Sequence, residues 1–174
     1  MLEALAIKPP VQPFDSRRHW RTCLLWAGAG LAADQGIKAY VASCLELGEQ
    51  VFVTSWFNIV HVLNPGAAFS FLADAGGWQR WLFVMVGIAV SIVLAWWLRR
   101  GVASRLEAAA YVGLIGGALG NVADRLRIGA VVDYLDLHWR GLHWPAFNLA
   151  DILVVGGAGR LVLASLMPGR APRA

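Results

Sequence analysis

Charged side chains are scarce in this chain of 174 residues: Asp, Glu, Lys and Arg make up 15% of it, where a soluble domain carries about a quarter. With 58% hydrophobic residues and a mean hydropathy of +0.56, its exterior is expected to be solvated by lipid. Cysteine is nearly lacking. Cys23 and Cys44 lie near opposite ends of one apolar segment, about 30 Å apart if that segment is helical, which excludes a disulfide between them. The four histidines, His19, His61, His138 and His143, have no zinc-ligand spacing, and no glycine-rich phosphate loop is present. No metal or other cofactor is therefore expected. The net charge of +4 is divided among short segments and never gathered into one basic face, so nucleic acid is not an expected partner.

What is present is a set of four apolar segments: Trp20 to Cys44, Trp81 to Leu98, Leu106 to Ala123, and Asn148 to Met167. Each is long enough to cross a bilayer as a helix. The second contains Ser91 as its only conventional polar side chain. Four crossings place both termini on one side. Lys8, Arg17, Arg18 and Arg21, then Arg99, Arg100 and Arg105, then Arg170 and Arg173 all fall on that side, whereas on the other no Lys or Arg occurs from Leu45 to Gln79 and the later loop has Arg125, Arg127 and Arg140. The positive-inside rule makes that side cytoplasmic. Seven tryptophans, among them Trp20, Trp81, Trp96 and Trp144, stand near the predicted boundaries, as an aromatic belt requires. A cleavable signal is disfavoured for the first segment, because Asp34, Gln35 and Lys38 follow its apolar core and no soluble domain comes after it.

The expected fold is thus an all-α membrane protein of four transmembrane helices, with a small extracytoplasmic β-rich element and an interfacial loop or short helix. Residues 1–19, with Pro9, Pro10 and Pro13, read as a cytoplasmic tail, 20–168 as the membrane domain with outer loops at 45–79 and 126–147, and 169–174 as a second tail. In the first loop, Val, Phe, Ile and Thr are enriched between Gln50 and Phe71 around a break at Asn64 to Gly66, which suggests short strands about a turn. In the second, Ala130 to Tyr134 looks extended, and the aromatic piece after it is expected to lie against the interface.

Ionisable groups in or beside hydrocarbon cost several kcal/mol unless paired or wetted, so each demands a reason. Asp34 and Lys38, four apart, share one helical face and form either a structural pair or part of a substrate-facing site. Asp124 reads as the end of the third helix. A carboxylate there opposes the helix dipole and needs an offsetting cation, either Arg125 or a basic group across the bundle. Gly113, Gly116, Gly117 and Gly120 on the same helix let another backbone approach closely. Asn148 and Asp151 have the spacing of an N-cap and its reciprocal partner. Asp133 and Asp151 both flank the outer boundary. If they converge they can share one proton, one acting as base toward water while the other polarises a carbonyl. Spacing permits this pairing without requiring it. Ser70 has no His or Lys arrangement suited to a nucleophile.

Five runs together resemble the lipoprotein signal peptidases, the signal peptidase II family of membrane aspartyl proteases: DQGIK at Asp34, VLNPGAAFSFL at Val62, GGALGNVADR at Gly116, GAVVDYLD at Gly129 and WPAFNLAD at Trp144. The resemblance spans Leu24 to Leu163. It implies that Asp133 and Asp151 are catalytic, that Asn64, Asn121, Arg125 and Asn148 bind substrate or support the site, and that Asp34, Lys38 and Asp124 are structural. Tyr134 stands where Phe is common, and Pro65 replaces a frequent Thr. The implied substrate is a prolipoprotein whose cysteine carries diacylglycerol, cut immediately before that cysteine at the outer face of the bacterial cytoplasmic (inner) membrane. Membrane lipids are the other partners, and the protein is expected to act as a monomer. Two other classes compete: a small transporter or ion-binding protein using the membrane carboxylates, and an inactive peptide-binding relative. The clustering of polar residues near one surface argues against the first, and the presence of both aspartates against the second.

Overall fold

The computed structural model describes residues 16–66, 76–102 and 104–166. Most of the expected N-terminal tail, the whole C-terminal tail and Ser70 lie outside these residues, as does the part of the first outer loop from 67 to 75.

Four helices are present among the described residues: α1 (Ser16–Cys44), α2 (Trp78–Arg100), α3 (Arg105–Ile128) and α4 (Leu149–Leu166). α2, α3 and α4 are long and apolar enough to cross a membrane. α1 falls short of that criterion on composition, since Asp34, Gln35 and Lys38 interrupt its apolar run. α3 is the central helix and packs against the other three. It can do so because its glycines remove side chains where backbones meet. A Cβ on Gly116 would stand 2.8 Å from the Ala27 carbonyl oxygen of α1, and one on Gly117 would overlap the Ala150 carbonyl oxygen of α4. Outward-facing Met85 and Ile92 of α2 and Val155 and Val162 of α4 are all exposed, an apolar surface suited to acyl chains.

α3 runs further than its apolar stretch suggests. Asp124 and Arg125 lie within the helix, which continues to Ile128 and ends at Gly129, whose φ of 82° supplies the left-handed cap. The last turn inverts the usual pattern: Leu126, Arg127 and Ile128 are exposed while Asp124 and Arg125 are buried.

The two outer loops build one sheet instead of separate elements. Strands β1 (Gln50–Thr54), β2 (Phe57–Asn64), β3 (Val131–Trp139) and β4 (Leu142–His143) pair antiparallel in that order. The first hairpin turns at Ser55 and Trp56, not at the Asn-Pro-Gly break, which instead ends β2. β2 pairs with β3 from Phe57 opposite Leu137 to Asn64 opposite Val131, with an irregularity between Ile59 and Val62. Pairing across loops leaves fewer edge groups without partners than two isolated hairpins would. The β3–β4 turn places Arg140 at φ 49° and Gly141 at φ 82°, the two positive angles of a tight hairpin turn. Within 126–147 the described residues contain no helix beyond the end of α3, so the short interfacial helix allowed as an alternative for this loop does not form.

Candidate active site

The site lies where β3, the end of β2 and the start of α4 meet the C-terminal part of α3. The first four residues of β3, Val131 to Tyr134, are buried, and the Val132 N–H donates to Asp124 Oδ2 at 3.2 Å, fastening the strand to α3. Asp133 follows, 2% exposed. Alternation along the strand puts it on the same face as Val131 and Leu137, and all three line a cavity of about 770 Å³. Asp151, Asn64, Asn121 and Arg125 line it too.

Asn148 organises the two acids. Its Oδ1 accepts from the Asp151 N–H at 2.9 Å while its own N–H donates to Asp151 Oδ2 at 3.3 Å, the reciprocal cap expected from their spacing. Its Nδ2 donates to Asp133 Oδ1 at 2.6 Å. Asn64 Nδ2 donates to Asp133 Oδ2 at 3.1 Å, and Asn121 Nδ2 to Asp151 Oδ1 at 2.8 Å. The two carboxylates thus face one cavity and are joined through a buried asparagine. Burial pushes the Asp133 carboxyl up to about 7, and the charge of Asp151 adds to the rise, while hydrogen bonds from Asn64 and Asn148 and the charge of Lys38 oppose it.

Behind this layer is an ion cluster wholly shielded from solvent. Lys38 Nζ lies 2.8 Å from both Asp34 Oδ2 and Asp124 Oδ2, and donates to Asn121 Oδ1 at 3.2 Å. Asp34 Oδ1 accepts the Ala150 N–H at 2.9 Å, immediately before Asp151 in the chain. The cation that offsets Asp124 is therefore Lys38 across the bundle, helped by Arg127 at 3.4 Å. Arg125 turns elsewhere: it donates to the carbonyl oxygens of Gly66 and Asn121, and its guanidinium lies 4.9 Å from the Phe83 ring centroid. Asp124 and Arg125 are adjacent in sequence yet serve different networks.

Several groups here stand in the recognised runs or beside them but are given no role by the sequence. Gln35 bridges Asp34, the Gly120 carbonyl and Asp124. The Tyr134 hydroxyl oxygen accepts the Leu149 N–H at 3.1 Å, a second cap on α4 that Phe could not give. On the other face of β3, Asp136 accepts from Asn58 Nδ2 and meets His143 Nδ1. Burial raises the Asp136 carboxyl, but the His143 and Asn58 hydrogen bonds outweigh this and leave it below the usual range. Among the described residues, no group of three or more His, Cys, Asp or Glu side chains is placed to hold a metal ion.

Comparison with known proteins gives the family. The family described as signal peptidase (SPase) II matches residues 26–167. A lipoprotein signal peptidase of Aeromonas hydrophila is 50% identical over 150 residues, covering 83% of this chain and 90% of that one. Another from Shewanella piezotolerans is 51% identical over 156 residues, 88% of each chain. A solved structure described as a bacterial membrane enzyme superposes with a TM-score of 0.76 at 28% identity, covering 87% of this chain and 92% of its own.

Proposed function

The chain belongs to the signal peptidase II family, and on that premise we propose that this membrane protease cuts the signal peptide from diacylglyceryl-modified prolipoproteins with Asp133 and Asp151 as its catalytic pair. The observation that carries the reading is their convergence on one cavity through Asn148. Asp133, whose carboxyl is raised to about 7, holds the shared proton and hydrogen-bonds the scissile carbonyl oxygen. Asp151, where the N–H groups of α4 stabilise negative charge, takes a proton from the attacking water. The tetrahedral carbon then releases the amine of the lipidated cysteine, which receives that proton, and the signal peptide leaves as a carboxylic acid that gives up the second water proton to solvent.

Arg125 and Asn64, which line the cavity, would hold the peptide backbone or glyceryl ester oxygens, while Asn121 and Asn148 hydrogen-bond the acids and would keep them in position. Acyl chains would leave the cavity between α2 and α4. Val86 and Val155, one from each helix, line it and are 50% and 71% exposed, so this side faces lipid. A diacylated cysteine could therefore stay in the bilayer while its peptide bond reaches the acids, which is an orientation effect on the barrier.

α1 is the fourth crossing in this reading. Its low hydropathy comes from side chains that lipid never meets, since Asp34 and Lys38 are 0% exposed. Both termini are then cytoplasmic, the sheet lies at the outer face of the inner membrane, and the monomer contains a complete site. Replacing Cys23 and Cys44, then placing a cysteine at Ser55, should give labelling by an impermeant thiol reagent in intact cells. Protection at 55 would invert the topology.

The chemical test uses purified wild type, D133N and D151N with a diacylated precursor and follows the released peptide by mass. Wild type should cut one bond before the modified cysteine, and each folded variant should be silent. Turnover by either variant at the wild-type rate would remove the two-aspartate mechanism. Cleavage of the unmodified precursor with equal kcat/KM at equal membrane mole fraction would remove the lipid requirement.

A further inference from the structure

We propose that Asp136 and His143 form a clasp on the outer face of the sheet that sets the position of the Trp144–Phe147 segment, and through it the affinity for substrate. The inference rests on the peptidase reading above and assigns a positioning role to two residues outside the catalytic network.

The argument begins with a gap in the strand ladder. β4 is only two residues long, with His143 opposite His138 and Leu142 opposite Trp139. Beyond it, the Trp144 N–H donates to the Leu137 carbonyl at 2.8 Å, and Phe147 exchanges bonds with Leu135 at 2.9 and 3.1 Å. Between those points Pro145 and Ala146 face the single residue Asp136. This is the two-against-one arrangement of a bulge, and Pro145 has no N–H to contribute. Trp144, Pro145, Ala146 and Phe147 all line the cavity. A wall of the cavity is thus made from a stretch whose two middle residues are given no bond by the ladder.

Side chains on the opposite face supply what the ladder lacks. Asp136 is 6% exposed, although Leu137 and His138 after it are only half-buried and Trp139 at the strand end is exposed. His143 Nδ1 lies 2.9 and 3.0 Å from its two oxygens. Asn58 Nδ2, from the paired position on β2, donates to Oδ2 at 2.8 Å and fixes the carboxylate from the other side. Because successive side chains alternate, holding His143 on this face holds Trp144 on the cavity face. The His143 ring also stacks on His138 at 5.0 Å, so two distinct contacts could be responsible.

Two substitutions separate them. His143→Phe keeps an aromatic ring beside His138 and loses the nitrogen, whereas His143→Asn places an amide N–H near the Nδ1 position and loses the ring. The clasp predicts that H143F raises KM for the diacylated precursor about fivefold, the upper worth of a charged contact whose histidine is half exposed, with kcat little changed. H143N should remain within about twofold of wild type in both, the spread expected when the hydrogen bond is retained. Thermal unfolding of both proteins checks that they are folded. Asp136→Ala should reproduce the H143F effect, and combining D136A with H143F should add nothing further. An unchanged KM in H143F would overturn the clasp, as would a loss in H143N that H143F lacks, or a loss confined to kcat. If wild type cleaved nothing, the peptidase mechanism would be what failed. The clasp would then be judged by the binding affinity of the same precursor for wild type, H143F and H143N.

Discussion

Replacing Lys38 by Met is the sharpest perturbation that the buried ion cluster allows. The Nζ contacts Asp34 and Asp124 at 2.8 Å each and Asn121 at 3.2 Å, so all three of its donors are engaged, and both ion-pair partners are 0% exposed. Arg127 also reaches Asp124, but its side chain is 53% exposed and the separation is 3.4 Å, so it cannot replace the lost charge inside the bundle. Breaking a buried pair by removing one partner costs about 3–5 kcal/mol, because the surviving charge keeps its desolvation penalty. For a chain of this size roughly 2–4 °C accompanies each kcal/mol, so unfolding in a bilayer mimetic should shift down by about 6–20 °C. The triple variant K38M/D34N/D124N removes the uncompensated charges as well and should recover at least half of that loss. The remainder reflects weaker hydrogen bonds to Ala150 N–H and Val132 N–H. Tryptophan fluorescence against temperature reads all three proteins. A shift under about 3 °C for K38M, or a triple variant less stable than the single one, would refute the claim that charge compensation holds this cluster together.

Two further outcomes follow from the site. Burial, with Asp151 second, raises the Asp133 carboxyl from 3.8 to about 7, so the proton-sharing form is populated below that pH and lost above it. kcat/KM should fall as pH rises through about 7. The linked stability has the same sign, being fully present below the ordinary carboxylate range and lost as pH passes about 7, and D133N should abolish that part of the unfolding profile. Equal kcat/KM on either side of 7 would contradict the shared proton. Arg125→Lys retains charge but loses the planar fork that reaches Gly66 and Asn121 and lies over Phe83. It should lower kcat/KM about tenfold, through loss of a charge-assisted hydrogen bond. Lysine working as well as arginine would show that the position supplies charge alone.

The sequence was most legible where interactions are local. Asp34 and Lys38 at a four-residue spacing do pair, and the glycines of α3 do meet other backbones, because helical periodicity alone determines which residues share a face. It was least legible where partners come from distant segments. Nothing near Asp124 in the chain indicates that Lys38, 86 positions earlier, is its cation, so sequence leaves the adjacent Arg125 and a basic group across the bundle equally open. The end of an apolar run marks where side chains become polar, not where backbone hydrogen bonding stops, so α3 extends past Asp124 and Arg125 to its cap at Gly129. The sheet shows the same limit. β2 and β3 come from two loops more than sixty residues apart, each with recognisable strand composition, but composition carries no information on register.

Asn148 shows how a correct local reading can still miss half of a residue's role. Its spacing from Asp151 predicts an N-cap, and the cap forms, but a capping asparagine needs only its side-chain oxygen for that purpose. The amide nitrogen is left to act elsewhere, and here it donates to Asp133 at 2.6 Å. One planar group therefore sets both the first turn of α4 and the placement of Asp133 relative to Asp151. Ser, Thr or Asp could satisfy the cap, but none offers an oxygen acceptor and an amide donor in the same rigid plane. The choice of asparagine among otherwise equivalent caps is thus explained by the second carboxylate, which lies fifteen residues earlier and on a strand.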